Sequence, residues 1–230
     1  MIWNRLWRKF HQACQQFELL EDGDKVLIGL SGGKDSLLMT ELLGRQAKIF
    51  VPKIEVVAVH VRVRERNYQT DIDYLQSFCD QAGVKLIIKD TEISDENGQK
   101  RKDECFLCSW YRRKALLDLA QEIGCNKIAF GHHQDDVLHT LLMNIIYEGR
   151  FTTIEPKLKL DKMPITLIRP LWLIQEEDIR AYAEEAGYKK QLKRCPFERV
   201  TSRTDARKLL EHLETLNPDV RSSLLHALKR

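Results

Sequence analysis

The sequence predicts an α/β fold, in which helices cover both faces of a doubly wound, mostly parallel sheet of five strands. Two observations predict it: short apolar runs alternate with amphipathic stretches along most of the chain, and a glycine-rich turn follows the first apolar run. Parallel strands buried on both faces have such continuous apolar runs. The predicted strands are residues 25–30, 54–61, 84–88, 127–130 and 165–169.

Each connecting helix is predicted from apolar side chains at helical spacing. The first begins directly after the glycine-rich turn, where Asp35 and Ser36 are candidate caps and Leu38 and Leu42 belong to the apolar face. The later helices are predicted at residues 70–82, 108–123, 135–147 and 176–186. Strands alternating with helices in this way are typical of a parallel sheet.

Two flanking segments fall outside the alternation and frame the predicted nucleotide-binding domain, residues 23–188. Residues 1–22 carry Trp3, Trp7 and other apolar side chains at helical spacing, and we expect this extension to dock on the domain as a helix. Its tryptophans are also a surface on which a homodimer could pair. Residues 189–230 form a basic helical segment, broken around Asn217-Pro218, with eleven basic and five acidic residues.

Length and composition describe an ordinary soluble protein. The 230 residues, 43% hydrophobic and 31% charged, are enough for one sizeable core. No run approaches the roughly 20 apolar residues of a membrane-spanning helix, and the N-terminus lacks the apolar stretch of a signal peptide. We therefore expect a cytoplasmic protein without a membrane partner, whose six cysteines are reduced.

A phosphate-binding loop follows the first strand, with the sequence Ser31-Gly32-Gly33-Lys34-Asp35-Ser36. Its glycines let backbone amides approach an oxyanion, and the following helix N-terminus adds partial positive charge. The loop is not the common nucleotide loop, since Ile28 stands where that loop has its first glycine. The dinucleotide glycine pattern is also unmet, which disfavours NAD. The hexapeptide resembles instead the PP-loop of the ATP pyrophosphatases, which cleave ATP between the α and β phosphates.

This resemblance implies an adenine nucleotide alpha hydrolase-like fold that binds ATP with Mg²⁺. Lys34 would neutralise the phosphates, and Asp35 would help to hold Mg²⁺ or orient the loop. Both would then serve in catalysis. The residues implied to line the β and γ phosphates are Ser31, Gly32, Gly33 and Ser36.

A second polar loop follows the fourth strand, with the sequence Gly131-His132-His133-Gln134-Asp135-Asp136. Loops at the carboxyl ends of neighbouring strands form the ligand crevice of a doubly wound sheet, so this loop can face the first. Gly131 would let the nucleotide lie against backbone, while Asp135 or Asp136 would bind Mg²⁺ or ribose, or only cap the helix. The motif resembles Gly-His-His-x-Asp-Asp of tRNA-modifying members, which favours a site. His60, ending the second strand, either borders the adenine pocket or is structural.

Cys105 and Cys108 lie together at a predicted helix start, where the dipole lowers the pKa of a thiol. By itself this pair fits a redox couple, half of a zinc site or part of an iron–sulfur cluster. Cys195, in a polar segment ahead of the basic tail, is a separate candidate. Core packing is expected for the remaining cysteines, Cys14, Cys79 and Cys125.

Taken together, the motifs resemble the tRNA 2-thiocytidine synthetases, the TtcA type, over nearly the whole chain. In that family two cysteines of the Cys-x-x-Cys pair and one distant cysteine hold a [4Fe–4S] cluster with one open iron. The metal ligands implied here are Cys105, Cys108 and Cys195, the first two with catalytic roles. The resemblance implies ATP-dependent thiolation of a cytidine in the tRNA anticodon loop, with a sulfur donor such as a cysteine desulfurase or sulfide. Glu198 stands where some relatives carry a further cysteine.

Basic residues near both cysteine groups predict an RNA-binding surface with salt-dependent affinity. They are Arg101, Lys102, Arg112, Arg113 and Lys114 around the pair, and Lys189, Lys190, Lys193, Arg194 and Arg199 around Cys195.

Two other functions are open at this point. One is another PP-loop reaction on tRNA, such as 2-thiouridine or lysidine formation. The other is a non-catalytic nucleotide- or RNA-binding module stabilised by zinc.

Overall fold

The fold is a six-stranded sheet between layers of helices, seen in a computed structural model of the chain. The structure describes residues 1–64, 70–93, 104–190 and 202–228. The strands are β1 Lys25–Gly29, β2 Glu55–Val63, β3 Lys85–Thr91, β4 Lys127–Ala129, β5 Lys157–Lys159 and β6 Thr166–Ile168. The helices are α1 Ile2–Gln16, α2 Lys34–Gln46, α3 Ile72–Ala82, α4 Glu104–Glu122, α5 Gln134–Met143, α6 Glu176–Glu185, α7 Ser202–Leu216 and α8 Val220–Ala227. A π-helical turn, Asn144–Glu148, continues α5.

The strand order β3-β2-β1-β4-β6-β5 is that of a doubly wound sheet, because the chain reverses direction across the sheet between β1 and β4. All neighbours are parallel except β5, which is antiparallel to β6. The predicted class and all five predicted strands are confirmed. The count of five is one short: β5 has three residues, Lys-Leu-Lys, which are too few and too polar for an apolar run.

The two faces of the sheet have separate cores, which the side chains of β1 illustrate. Val26 and Ile28 pack into the larger core, with side chains of α1, α2, α3 and α6. Leu27, between them, packs with Leu116 and Leu119 of α4 on the opposite face. Successive strand residues point to opposite faces, so this central strand must be apolar throughout.

Helix α1 packs within this chain, as the sequence predicts. Leu6 and Phe10 are fully buried in the larger core. The Trp3 ring lies 5.3 Å from the Tyr182 ring of α6, and the Arg45 guanidinium lies over Trp3 at the same distance. The apolar face of α1 therefore packs against α2 and α6 of the same chain. The homodimer stays a prediction.

The C-terminal helices pack on α5 rather than on the sheet. The contact consists of Leu138 and Leu142 of α5 with Ala206 and Leu210 of α7. The predicted break is confirmed, since α7 ends one residue before Asn217-Pro218 and α8 follows. The domain boundaries at residues 22 and 188 stay a prediction. Within the described residues, no helix is long and apolar enough to cross a membrane.

Replacing Gly44 by alanine tests how tightly α2 packs on the end of α3. A Cβ at Gly44 would lie 2.6 Å from the Ala82 carbonyl oxygen and 2.9 Å from Val84 Cγ2. Alanine's helix propensity would favour folding by about 1 kcal/mol, whereas forcing a methyl group into a packed site costs about 1–3 kcal/mol. We expect the overlap to prevail because one partner is backbone, so Gly44→Ala should lower the free energy of unfolding measured by urea titration.

The matched control is Gly29→Ala, where the nearest atom to an added Cβ is 3.7 Å away, an ordinary contact. That variant should unfold within about 1 kcal/mol of the wild type. A Gly44→Ala protein at least as stable as the wild type would contradict the packing described here.

Candidate nucleotide-binding site

The two polar loops lie side by side at the carboxyl ends of β1 and β4, where the strand order reverses. Gly131 is at their contact: a Cβ there would lie 3.3 Å from the Asp35 carbonyl carbon and 3.3 Å from the Ser36 backbone nitrogen. Gly131 has no positive φ, so the close approach of two backbones, rather than conformational freedom, favours glycine. The glycine lies against the first turn of α2, and the predicted contact with a nucleotide stays a prediction.

The phosphate loop is held in shape by its own serines. The Ser36 hydroxyl donates to the Gly33 carbonyl oxygen at 2.9 Å and accepts from the Ser31 N–H at 3.2 Å. The Gly33 N–H donates to the Ser31 hydroxyl at 3.3 Å. Gly32 has φ +79°, a left-handed conformation that glycine adopts without strain. The loop conformation is therefore encoded in the hexapeptide itself.

Helix α2 starts one residue earlier than its predicted caps. Gly33 is the extended residue before it, and Asp35 and Ser36 lie in its first turn, so the predicted capping role was wrong. Lys34 Nζ lies 3.1 Å from Asp35 Oδ1 and 3.0 Å from Glu176 Oε1 of α6. Burial lowers the pKa of Lys34, but these two carboxylates outweigh it and raise the pKa above its ordinary value. Lys34 is a firmly charged group at this loop.

The consecutive carboxylates at the end of the second loop, in the first turn of α5, have different hydrogen-bond partners. Asp135 is buried, and its carboxylate accepts the Glu176 backbone N–H and the Arg221 guanidinium, each at 2.7 Å. Burial raises the pKa of Asp135, but these two donors outweigh it and lower the pKa below its usual range. Asp136 accepts the His133 backbone N–H at 3.2 Å and lines the cavity described below. Asp135 therefore joins α5 to α6 and α8, whereas Asp136 is accessible to a ligand.

Three histidines line the cavity beside these loops: His132 and His133 of the second loop and His139 of α5. His133 Nε2 lies 3.8 Å from Asp35 Oδ1 and 3.5 Å from Asp136 Oδ2, so one imidazole lies near both carboxylates. Burial lowers the pKa of His132 to about 4, and it lowers the pKa of His139 as well. His132 is therefore neutral at physiological pH.

His60 contacts the backbone directly before the phosphate loop. It is 6% exposed, and its Nδ1 is hydrogen-bonded with the Leu30 carbonyl oxygen at 2.8 Å, directly before Ser31. His60 is not among the residues that line the cavity described next. The structure thus gives it the structural position that the sequence left open, and a contact with adenine stays a prediction.

The loops open onto a cavity of about 570 Å³, large enough for a nucleotide. Its lining residues are Gly29, Ser31, Lys34, Asp35, Ser36, Phe130, Gly131, His132, His133, Asp136, His139, Glu176, Arg203, Thr204 and Arg207. The sequence predicted neither Glu176 nor the three residues of α7. Their only sequence signals were an acidic helix start and two arginines four residues apart, and neither indicates a site.

Of the three predicted cluster ligands, the structure describes the side chain of Cys108 alone. Cys108 is buried near the start of α4. Cys195 lies outside the described residues, as does the side chain of Cys105. Among the side chains that the structure describes, no group of three or more His, Cys, Asp or Glu residues could hold a metal ion.

The predicted core cysteines are indeed buried. Cys14, Cys79 and Cys125 pack within the two cores. Burial raises the pKa of the Cys14 thiol to about 12 and that of Cys79 to about 11. These thiols are protonated at neutral pH and hence poor metal ligands.

Comparison with known proteins agrees with the geometry. The PP-loop domain family matches residues 4–191. The tRNA-cytidine(32) 2-sulfurtransferase of Syntrophotalea carbinolica is 33% identical over 99% of this chain and 91% of its own length. The enzyme of the same name from Vibrio cholerae is 37% identical over 80% of this chain, which spans 60% of that longer protein.

A solved structure is similar over the whole chain. The U34-tRNA thiolase NcsA of Methanococcus maripaludis, determined with its [4Fe–4S] cluster, aligns with a TM-score of 0.82 and 28% identity. The match covers 100% of this chain and 79% of NcsA. The chain therefore belongs to the PP-loop family of ATP-using enzymes and, within it, to the tRNA-cytidine(32) 2-sulfurtransferases.

Proposed function

We propose that this protein is an ATP-dependent tRNA sulfurtransferase that converts a cytidine of the anticodon loop to 2-thiocytidine. The observation that carries the proposal is the meeting of the complete PP-loop with the second polar loop at one cavity. Family membership supports the substrate, because the relatives are named for sulfur transfer to tRNA cytidine.

The phosphate chain of ATP is proposed to bind at the N-terminus of α2. Backbone N–H groups of the glycine pair and of the first helical turn can donate to phosphate oxygens, and the helix dipole favours the anion. The residues proposed to line the β and γ phosphates are Ser31, Gly32, Gly33 and Ser36. Lys34 would exchange a carboxylate partner for phosphate, since both are charge-assisted acceptors.

Mg²⁺ is proposed to bind between the two loops, held by Asp35 and Asp136. Asp35 Oδ1 is buried and accepts no hydrogen bond in the described structure, although Lys34 Nζ lies 3.1 Å away. Asp136 lines the same cavity, and carboxylate oxygens are preferred Mg²⁺ ligands. The donor set fits the ion, which would screen the negative charge of the phosphates.

In the proposed reaction, the C2 oxygen of the cytosine attacks the α phosphorus of ATP. The bond between the α phosphorus and the bridging oxygen breaks, which gives pyrophosphate and an adenylated cytosine. A hydrosulfide ion then bonds to C2 while the C2–oxygen bond breaks and AMP leaves, and loss of the hydrosulfide proton gives 2-thiocytidine. The loop amides and Lys34 contribute by stabilising the charge on the departing pyrophosphate, the kind of electrostatic stabilisation that dominates many enzymes.

Cys105, Cys108 and Cys195 are proposed as ligands of a [4Fe–4S] cluster, whose open iron would bind the hydrosulfide for transfer. Thiolates are the usual ligands of such clusters, and NcsA carries one. Cys108 is buried in the first turns of α4 and is the proposed ligand whose side chain the structure describes. The other two ligands are proposed from the resemblance alone.

The tRNA is proposed to dock over the basic residues near these cysteines. Arg113 and Lys114 are exposed on α4, and Lys114 Nζ lies 5.6 Å from the centre of the Trp110 ring. Cations beside an exposed aromatic ring suit an RNA strand, which offers both phosphates and bases. The proposed sulfur donor is a cysteine desulfurase or sulfide. The protein is proposed to act in the cytoplasm.

Nucleoside analysis of tRNA tests the proposed function directly. Mass spectrometry of tRNA from cells lacking this protein should show that 2-thiocytidine is lost and that the gene restores it. If 2-thiocytidine persists and 2-thiouridine is missing, the enzyme acts as NcsA does, on uridine. An unchanged set of thionucleosides would refute tRNA thiolation.

Substitution of Lys34 tests the ATP site. Lys34→Ala should reduce tRNA-dependent pyrophosphate release by about 100-fold or more, the usual effect of removing a group that stabilises transition-state charge. The control is Lys85→Ala, which removes an exposed lysine at the start of β3, far along the chain from either loop. Equal rates for the two variants would exclude Lys34 from the reaction.

Substitution of Cys108 separates the cluster from the nucleotide site. Cys108→Ala should abolish the visible absorbance and iron content of anaerobically purified protein, because it removes a ligand, while ATP binding is retained. Cys125→Ala, which alters a thiol packed in the core beneath the sheet, should keep the iron. Full iron content in Cys108→Ala would show that this cysteine is not a ligand.

A further inference from the structure

We infer that α7 completes the ATP site, with Arg203 and Arg207 binding the β and γ phosphates opposite the phosphate loop. The inference rests on the proposed function and adds two binding residues that no motif indicates. It also gives α7, which packs on α5, a role in nucleotide binding.

The position of the two arginines is fixed by the neighbours that anchor α7. Ala206 and Leu210 are each 1% exposed and pack on Leu138 and Leu142 of α5. Arg203 and Arg207 stand three residues before and one after Ala206, so they project beside the buried stripe. Both line the cavity together with Ser31 and Lys34. Because α5 begins within the second polar loop, at Gln134, the anchor and the cavity belong to one packed unit.

The charge of the cavity explains why these arginines matter. Among the lining residues, three carboxylates, Asp35, Asp136 and Glu176, face three cations, Lys34, Arg203 and Arg207. Lys34 is already paired with two of the carboxylates. Without α7, the described lining would hold one cation against three anions and would repel a polyphosphate. The two arginines therefore remove the electrostatic barrier to the phosphate chain.

Both arginines are held weakly and can change partner. Arg203 Nη1 lies 3.5 Å from Asp136 Oδ1, and Arg207 Nε lies 3.3 Å from Glu211 Oε1. Their side chains are 54% and 53% exposed, so these ion pairs contribute little to stability. A guanidinium binds phosphate through two parallel hydrogen bonds, a geometry it favours. Transfer of Arg203 to a phosphate would also release Asp136 for the metal ion.

Calorimetric titration of the full chain with ATP and with AMP tests the inference. Arg203→Ala and Arg207→Ala should each weaken ATP binding by about tenfold or more, the effect of losing a charge-assisted hydrogen bond. AMP affinity should stay within about twofold of the wild type in both variants, because AMP lacks the β and γ phosphates. The matched control is Lys208→Ala on the same helix, an exposed cation that does not line the cavity and should change neither affinity.

The titrations distinguish failure of the arginine contacts from failure of the ATP site itself. If the wild type binds ATP and both arginine variants bind it as Lys208→Ala does, the inference is refuted and the ATP site stands. An equal loss of ATP and AMP affinity would refute it too, since it would indicate a damaged site rather than lost phosphate contacts. A wild type that binds no ATP would refute the proposed function together with the inference. Thermal unfolding of each variant confirms that it is folded.

Discussion

The backbone contact between Gly131 and the first turn of α2 is the constraint on which the candidate site depends. With no Cβ in between, the loop after β4 lies directly on Asp35 and Ser36. The polar groups of both loops therefore share one cavity instead of two. The sheet makes this contact available, because β1 and β4 are hydrogen-bonded neighbours whose carboxyl ends are level with each other. A Cβ at this position would force the two loop backbones a few tenths of an ångström apart.

The adjacent acidic pair of the same loop has two different surroundings. Successive residues in the first turn of a helix point about 100° apart, so Asp135 and Asp136 have different surroundings, although His133 lies 3.7 Å from Asp135 Oδ2 and 3.5 Å from Asp136 Oδ2. Asp135 turns inward, where the Glu176 backbone N–H and Arg221 hold it ionised. Asp136 turns to the cavity. One motif thus provides both a carboxylate that lines the cavity and the attachment of α6 and α8 to α5.

Apolar runs, helical spacing and loop motifs were sufficient to predict five strands, the helices around them and both polar loops. They could not predict β5, whose edge position needs no apolar residues. They also misplaced the start of α2: the extended residue before the helix is Gly33, and the preference of Asp and Ser for the capping position is not used there. Glu176, Arg203 and Arg207 were missed for a different reason. They reach the cavity only through packing between segments distant in sequence, which no local pattern reports.

The charge balance of the cavity connects these observations. Burial lowers the pKa of His132 and His139, and the described lining of the cavity carries three carboxylates and three cations. Each cation is paired with a carboxylate, either in the cavity or beside it, which avoids an isolated charge in a half-buried site. A nucleotide triphosphate brings several negative charges and takes the cations from their carboxylates. The carboxylates that lose their partners are then best compensated by a divalent cation. ATP and Mg²⁺ are therefore expected to enter this cavity together, because the metal ion compensates the carboxylates whose cations the phosphates take.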